Sequence, residues 1–444
     1  MATKQAVLLI HGIGEQRPMD TLRGFVDTVW TSHAQIQNKF AGSASWSKPD
    51  TVSESFELRR LTTARNAKDI RTDFFEFYWA HLMQGTTYGH LFAWVKSLLW
   101  RNPRTVPHHL LGVYVLLMLA VLAAIALAIG SAMAKAAGTP SPIPPWALAI
   151  LSIAIVPLVG AVLLLVVGDA ARYLHVAPSN IQRRHEIRQA GVKLLTALHQ
   201  RGYERIVVVG HSLGSVIGYD ILNHAWAAVH EVHDAASKGV NELTEVERQV
   251  ISPGPGYTPE TLRAAQRDYV RELKANANPW RVTDFVTLGS PLAHAAVLLA
   301  KDASELAAKQ QAREFPTAPP VTETITRQGQ PLTRFSFEPD GKPANPFRVA
   351  HHAAVFAATR WTNLYFPCQL IVWGDVVGGP LASCFGSGIK DVAVKTGLRW
   401  GFLSHTLYWK LDKSRKATHV TELRAALNLL DAESPRPLQT EKQP

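Results

Sequence analysis

The chain has 444 residues, with 46 Lys and Arg against 35 Asp and Glu, and a formal net charge of +11. Its two cysteines, Cys368 and Cys384, exclude a disulfide framework, and neither has the spacing of a CxxC or clustered metal site. The first apolar run is too short for the core of a signal peptide, so none is predicted.

The predicted elements begin with an apolar run at 6–10, which is typical of a buried parallel strand. This run ends in the glycine-rich stretch HGIGEQ at 11–16. Helical spacing follows at 21–37, and alternating or apolar runs predict strands at 55–61 and 73–80. Strands that alternate with helices indicate the start of an α/β domain with a mostly parallel sheet.

Two uncharged apolar runs, at 110–134 and 146–168, interrupt this alternation. Each is long enough to cross a hydrocarbon core, which needs roughly 20 apolar residues. They predict a transmembrane hairpin, and the alternative is a pair of buried helices in a large soluble domain. Four tryptophans before or at the ends of the runs are predicted to be interfacial: Trp79, Trp94, Trp100 and Trp146.

Basic residues flank the two runs on both sides, whereas the loop between them carries only Lys135. The positive-inside rule therefore predicts a protein with two membrane spans and both flanks in the cytoplasm. The Ala- and Arg-rich composition favours a bacterial inner membrane. These flanks largely explain the basic excess, so nucleic acid is not predicted as a partner.

After the second run the alternation resumes. Helices are predicted at 187–199 and 215–229, and strands at 205–209, 282–292, 368–375 and near 391–394. Two insertions break this pattern. The first, at 230–279, is charged and predicts two helices, and the second, at 306–345, predicts a loop with one hairpin. Insertions of this kind are candidate lids over an active site.

The predicted organisation is one α/β domain in two parts, 1–104 and 169–431, with helices on both faces of its sheet. A membrane insertion at 105–168 separates the two parts. A polar tail at 432–444 is predicted to be disordered.

The stretch GHSLG at 210–214 fits the pattern G-x-S-x-G. A predicted strand ends at Gly210 and a predicted helix opens after Gly214, which is the context of a nucleophile elbow formed with His211 and Ser212. Small flanking residues allow the sharp turn that exposes such a serine. The alternative is a tight turn that contains an incidental serine.

An activated serine also needs donors for the developing oxyanion. We predict that the N–H of Leu213, at the start of the helix, acts together with an N–H from Gly12 or Ile13 in the HGIGEQ stretch. Glycines there let the backbone approach a substrate oxygen. His11 is predicted to shape this loop and not to act as the base.

VLLIHGIGEQ, VVVGHSLGSVIGYDIL and TLGSPL together resemble an α/β-hydrolase of the lipase/esterase type, more narrowly a bacterial membrane-associated serine hydrolase. This resemblance covers about two-thirds of the chain and implies the chain order serine, acid, histidine. It implies a triad of Ser212, Asp375 on the loop after a strand, and His405 near the end of the domain. Three competitors are weaker because of position or surroundings: Asp220, Asp284 and His419.

The predicted function is a membrane-anchored serine hydrolase that cleaves carboxylic esters of lipids through an acyl-enzyme. Two alternatives stay open: an acyltransferase with the same triad, and a non-catalytic membrane scaffold with a hydrolase fold. No P-loop, dinucleotide fingerprint, HExxH or zinc spacing is present in the sequence, so no cofactor and no metal are predicted. The sequence leaves the oligomeric state and the acyl chain length open.

Overall fold

A computed structural model of the protein describes residues 3–12, 17–37, 45–53, 55, 57–83, 115, 118, 122, 129–130, 133, 136–138, 173, 178–232, 241–252, 258–337, 349–368, 374–396 and 401–430. In this part of the chain the strands are β1 Lys4–Ile10, β2 Ser45–Pro49, β3 Arg59–Thr63, β4 Arg71–Phe77, β5 Arg205–His211, β6 Val282–Leu288, β7 Glu323–Arg327, β8 Gln330–Arg334, β9 Ser336–Phe337, β10 Val349–Ala350, β11 Arg360–Tyr365 and β12 Lys390–Ala393.

Eight of these strands form one sheet in the order β2-β3-β4-β1-β5-β6-β11-β12. The six strands from β4 to β12 in this order are parallel neighbours, whereas β3 is antiparallel to both β4 and β2. The protein is therefore a mixed α/β protein with a mostly parallel sheet.

The register aligns the carboxyl ends of the central strands. Ile10 of β1 pairs with Phe77 on one side and Gly210 on the other, and Gly210 pairs with Thr287 of β6. Within the sheet, β4 lies on one side of β1, and β5, which comes later in the chain, lies on the other side. Ligand sites of open α/β sheets form at such a switch point, beyond the carboxyl ends of the strands.

Helices cover both faces of this sheet. Those with described bounds are α1 Asp20–Val26, α2 Ala34–Gln37, α3 Pro178–Gln200, α4 Leu213–Val232, α5 Asn241–Ile251, α6 Pro259–Ala275, α7 Ala295–Leu298, α8 Ala303–Gln311, α9 Val355–Ala358, α10 Ala382–Phe385 and α11 His419–Leu427. A π-helical turn at Asp27–Thr31 extends α1, and 3-10 turns occur at Ala80–Met83, Pro291–His294 and Gly401–Thr406.

Each face of the sheet has its own apolar core. The side chains of β1 alternate, so that Ala6, Leu8 and Ile10 join α3, α4 and α6 in one cluster. Val7 and Leu9 join α1 and α11 in the other. Burial on both faces explains why β1 reads in sequence as an unbroken apolar run.

Most predicted elements are confirmed, with shifted bounds. The predicted strand at 368–375 is wrong at its ends: the strand here is β11, Arg360–Tyr365, and neither 366–368 nor 374–375 belongs to a strand. Residues 369–373 lie outside the described part. A short apolar stretch follows β11 in sequence, and the hydrophobic pattern of such a stretch does not show by itself whether it forms a strand.

The two insertions contain the elements predicted for them. The first holds α5 and α6, and the second holds the antiparallel hairpin of β7 and β8. The second also begins with α8, which the sequence did not predict. The tail at 432–444 lies outside the described residues.

The predicted membrane hairpin falls almost entirely outside the described residues. Among the residues that are described, no helix combines the length and the apolar character that crossing a membrane requires. The hairpin thus stays a prediction. The interfacial prediction is wrong for Trp79. This residue is 1% exposed and its Nε1–H donates to the His11 carbonyl at 3.0 Å, so it belongs to the core.

Candidate active site

Ser212 occupies a strained turn between β5 and α4. Its φ is +53°, a left-handed conformation that non-glycine residues adopt rarely. Its N–H donates to the Leu288 carbonyl at 2.9 Å, at the end of β6. Strain at a single residue persists only when the surroundings enforce it, and it is common at functional sites.

Two glycines allow this turn. A Cβ on Gly210 would lie 2.5 Å from the Cα of Ser215, and a Cβ on Gly214 would lie 2.2 Å from the Ile10 carbonyl oxygen. Both contacts are with backbone atoms, which cannot move aside cheaply. Gly214 thus lets α4 begin directly against the end of β1, as the elbow prediction requires.

Asp375 and His405 form a hydrogen-bonded pair beside this turn. Nδ1 of His405 lies 2.9 Å from Oδ2 and 3.0 Å from Oδ1 of the carboxylate. Because the partner is a carboxylate, Nδ1 carries the proton and Nε2 is left as an acceptor. The Asp375 side chain is fully buried, whereas that of His405 is 22% exposed. The arrangement is that of an acid that orients a base.

The buried carboxylate is held by four donors in all. The N–H groups of Val377 and Gly378 donate to Oδ1 at 2.9 and 3.0 Å, and the Tyr408 hydroxyl donates to Oδ2 at 2.7 Å. Burial alone would raise the pKa of Asp375, but His405 and these hydrogen bonds outweigh burial and hold that pKa below its ordinary value. Asp375 is therefore ionised at neutral pH.

His211 connects the serine turn to His405, the predicted base. Its Nε2–H donates to the His405 carbonyl at 2.8 Å, and the two rings are 5.0 Å apart. Burial, followed by the neighbouring His405, lowers the pKa of His211 to about 3. His211 is thus neutral, with its one proton on the nitrogen that faces the carbonyl.

Gly289 packs between the strand ends and the acid–base pair. A Cβ there would lie 2.6 Å from Oδ2 of Asp375 and 3.0 Å from Nδ1 of His405. The preceding residue, Leu288, accepts the hydrogen bond from Ser212. The end of β6 therefore contacts all three predicted triad residues, which the fold brings into one cluster.

The predicted oxyanion loop lies against the serine. A Cβ on Gly12 would be 2.8 Å from the Cβ of Ser212, so only glycine fits. Leu213 is the first residue of α4, where backbone N–H groups have no intrahelical acceptor. Ile13, the alternative donor, lies outside the described residues.

His11 is a buried part of this loop. Its ring stacks on Trp79 at 5.2 Å, and Nδ1 bonds to the Gly12 carbonyl at 2.8 Å. Burial lowers the pKa of His11 to about 4. These contacts agree with the prediction that His11 shapes the loop.

No family model, curated protein or solved structure matches this chain. The case for the site therefore comes from its own geometry. Among the residues that the structure describes, no cluster of three or more His, Cys, Asp or Glu could hold a metal ion.

The competing acids and histidine all have structural roles. Asp284 pairs with Arg205 at 2.7 Å and with Arg360 at 2.8 Å, near the opposite ends of the strands. Asp220 pairs with Arg188 at 2.6 Å on the outer side of α4. His419 is fully buried, and its Nε2 bonds to the Lys410 carbonyl at 2.7 Å.

Sequence reasoning missed two contributors to the site. Tyr408, just after the 3-10 turn that carries His405, bonds to Asp375, 33 residues earlier in the chain, so the sequence contained no direct signal for it. The bond from His211 to the His405 carbonyl had no sequence signal, because 194 residues separate the two.

Proposed function

We propose that this protein is a membrane-anchored serine hydrolase that cleaves carboxylic esters, with lipid acyl esters as the substrate class. The observation that carries the proposal is the His405–Asp375 pair, held beside a serine with strained backbone. A base with a free Nε2, oriented by a buried carboxylate, is what a serine hydroxyl needs to become a nucleophile.

The proposed reaction has two stages. Nε2 of His405 takes the Ser212 proton as Oγ attacks the acyl carbonyl carbon. The N–H of Leu213 and a donor from the Gly12–Ile13 loop hold the oxyanion. His405 then gives its proton to the leaving alcohol. In the second stage His405 deprotonates a water that attacks the acyl carbonyl carbon. The bond to Oγ then breaks, His405 returns the proton to Oγ, and the carboxylic acid and the free serine are released.

The placement of the residues supports an α/β-hydrolase fold. The serine follows β5, the acid follows β11 and the base follows β12, in the chain order serine, acid, histidine that is typical of this fold. The glycine loop follows β1, the neighbour of β5 in the sheet. An oxyanion donor from a loop after another strand is also typical of the fold.

The membrane anchor is supported by residues inside the first apolar run. Four of its described residues are helical and between 46% and 66% exposed: Val115, Leu122, Ile129 and Met133. Their spacings of seven, seven and four residues match the periodicity of one side of the helix that the sequence predicts for this run. An exposed apolar side of a helix is suited to contact with lipid. An anchor near lipid-borne esters favours them as substrates.

The test of the hydrolase is labelling with a fluorophosphonate probe, which reacts with activated serines. Membranes containing the full chain are compared with those carrying Ser212→Ala or His405→Ala. Matched controls are Ser304→Ala and His352→Ala, which change exposed residues of the same types elsewhere. We expect the probe to label the wild type and both control variants, and to leave Ser212→Ala and His405→Ala unlabelled. A folded wild type without label contradicts the proposal.

The substrate class has a separate test. We expect turnover of phospholipid or acylglycerol esters by the labelled protein. Turnover of short soluble esters alone would overturn the lipid assignment and leave the hydrolase in place. Products are assayed with and without an acceptor alcohol, since acyl transfer would yield a new ester.

A further inference from the structure

A cavity of about 420 Å³ opens between α3 and α4. Positively charged or protonatable side chains line it from both helices: Arg184, His185, Arg188 and His224. Ile181, which is 54% exposed, and Val192 add apolar surface. The cavity therefore joins anion-binding groups to an apolar edge.

The charge of Arg188 is already compensated. Its Nη2 and Nε donate to Oδ2 of Asp220 at 2.6 and 2.9 Å, and the Tyr173 hydroxyl donates to the same oxygen at 2.7 Å. This network fixes Arg188, which lines the cavity, and the buried Tyr173 behind it.

Arg184 is different because it has no ion-pair partner among the described residues. Its guanidinium lies 5.6 Å from the centre of the Tyr173 ring, and its Nε–H is buried without an acceptor. Burial, followed by Arg188, lowers the pKa of Arg184. Asp220 also attracts Arg184, but the hydrogen bonds of its Oδ2 go to Arg188 and Tyr173. The partly buried Arg184 guanidinium, with no ion pair among the described residues, therefore favours an added anion.

The cavity is close to the proposed membrane surface. Tyr173 follows the end of the second apolar run, residue 168, by five residues. Even fully extended, five residues span at most ~18 Å. On the cytoplasmic side, anionic headgroups give the bilayer a negative surface potential that attracts basic groups near the membrane.

We propose that this cavity binds the phosphate of an anionic phospholipid, with Arg184 as its main donor and Ile181 beside the apolar part of the lipid. This inference rests on the membrane anchor in the proposed function. His224 lies on α4, the helix that begins beside Ser212, about 17 Å along its axis from the first residue of the helix. A bound lipid would fix the depth of the nucleophile relative to the bilayer.

In the test, the full chain in detergent is mixed with phosphatidylglycerol or with phosphatidylcholine of the same acyl chains. Native mass spectrometry then measures how much of each lipid stays bound to the protein. We expect the wild type to retain phosphatidylglycerol preferentially. Arg184→Gln is expected to bind it about five-fold more weakly, since one basic group near a surface contributes about 1 kcal/mol. The matched control is Arg183→Gln, which changes the neighbouring arginine paired with Glu186 at 2.9 Å.

Arg184→Lys keeps the charge and is expected to restore most of the binding, which separates loss of charge from loss of fold. Equal binding by the Arg184→Gln and Arg183→Gln proteins would overturn the inference. Displacement of the lipid by equimolar glycerol phosphate would also overturn it, because the site would then take soluble phosphates.

Fluorophosphonate labelling of the same samples keeps the two proposals apart. Labelling without lipid selectivity rejects only this inference, and lipid selectivity without labelling rejects only the hydrolase.

Discussion

At the scale of single residues, His211 connects the turn at Ser212 to His405, the proposed base. Its Nε2–H holds the His405 carbonyl at 2.8 Å and its ring packs edge-on against Trp409. A base that drifts by even a fraction of an ångström loses its alignment with the serine. His211, between Gly210 and Ser212, therefore has a positioning role in addition to its place in the turn.

We expect His211→Ala to lower kcat of the purified enzyme about ten-fold with little change in KM, because the base loses its anchor while substrate contacts remain. His211→Gln is expected to recover much of the rate, since its side-chain amide can donate to the same carbonyl. Steady-state kinetics on one ester would measure both. Equal rates for the alanine and glutamine variants would show that the hydrogen bond does not matter. The pKa of His211 is about 3, so its titration does not affect the profile above pH 5.

Tyr408 stabilises the charged form of Asp375. Tyr408→Phe removes one donor from a buried carboxylate, so the pKa of Asp375 rises and its hold on His405 weakens. We expect kcat/KM to fall about ten-fold and acid inactivation to begin at higher pH, as a pH–rate profile would reveal. The matched control is Tyr203→Phe, which breaks a similar bond to Asp73, 2.7 Å long, away from the site. A control with the same pH shift would refute this assignment.

The residues of the site differ in how far sequence could predict them. The strained turn at Ser212 was predictable because a sharp strand-to-helix turn restricts residue types within five positions. Placing Asp375 beside His405 required in addition the chain order that the resemblance implies. The hydrogen bond of His211 and the close packing of Gly289 were not predictable, because each depends on which strand ends the sheet brings together.

At the scale of elements, the junction of β1 and α4 depends on Gly214. Gly214→Ala would push the helix away from the Ile10 carbonyl, and we expect it to destabilise the protein by at least ~2 kcal/mol or to prevent folding. Gly24→Ala is the matched control, because its Cβ would meet only Trp409 at an ordinary 3.8 Å within α1. Alanine there is expected to be neutral or stabilising. Equal thermal stability of the two variants would contradict the prediction.

The loop between β1 and α1 is fastened to β4 by a buried acid. Oε2 of Glu76 accepts from the Met19 N–H at 2.9 Å, and Glu76 is 1% exposed. Burial raises the pKa of Glu76 to about 7, although the Met19 N–H favours its charged form. The folded protein thus binds this proton more tightly than the unfolded chain does. The contribution to stability is therefore greatest below the ordinary value of 4.5 and is lost as pH rises through about 7.

We expect Glu76→Gln to stabilise the protein by roughly 3 kcal/mol at pH 8 and to change little at pH 4, because the amide stays neutral and keeps an acceptor for Met19. Urea unfolding followed by tryptophan fluorescence at the two pH values would measure this. Glu57→Gln, at an exposed position, is the control. A stabilisation that is the same at both pH values would argue against proton linkage.

The elements were largely predictable because periodicity and turn residues mark them locally. The errors occur where tertiary context decides. Trp79 looks like an interfacial residue in sequence and is buried against His11. The apolar stretch after β11 looks like a strand, yet its described ends lie in the loop that delivers Asp375.

At the scale of the whole molecule, the proposed anchor predicts how the protein partitions. We expect alkaline carbonate to leave the full chain in the membrane fraction, because two apolar spans are not held by charge. A version with 105–168 replaced by a short Gly/Ser linker is expected to be released. Probe labelling of Ser212 in the released protein would show that the α/β domain folds without the insertion. Carbonate release of the full chain would count against the anchor.

The position of β1 has a consequence for biosynthesis. Its neighbour β4 ends at Phe77 and is made soon after it, but its other neighbour, β5, begins at Arg205, beyond both apolar runs. During translation one edge of β1 thus remains open until the insertion has emerged from the ribosome, and an open apolar edge can pair with other chains. Prompt delivery of the proposed membrane insertion to the bilayer would keep its apolar runs away from that open edge. Delayed membrane targeting should then leave the nascent chain dependent on chaperones.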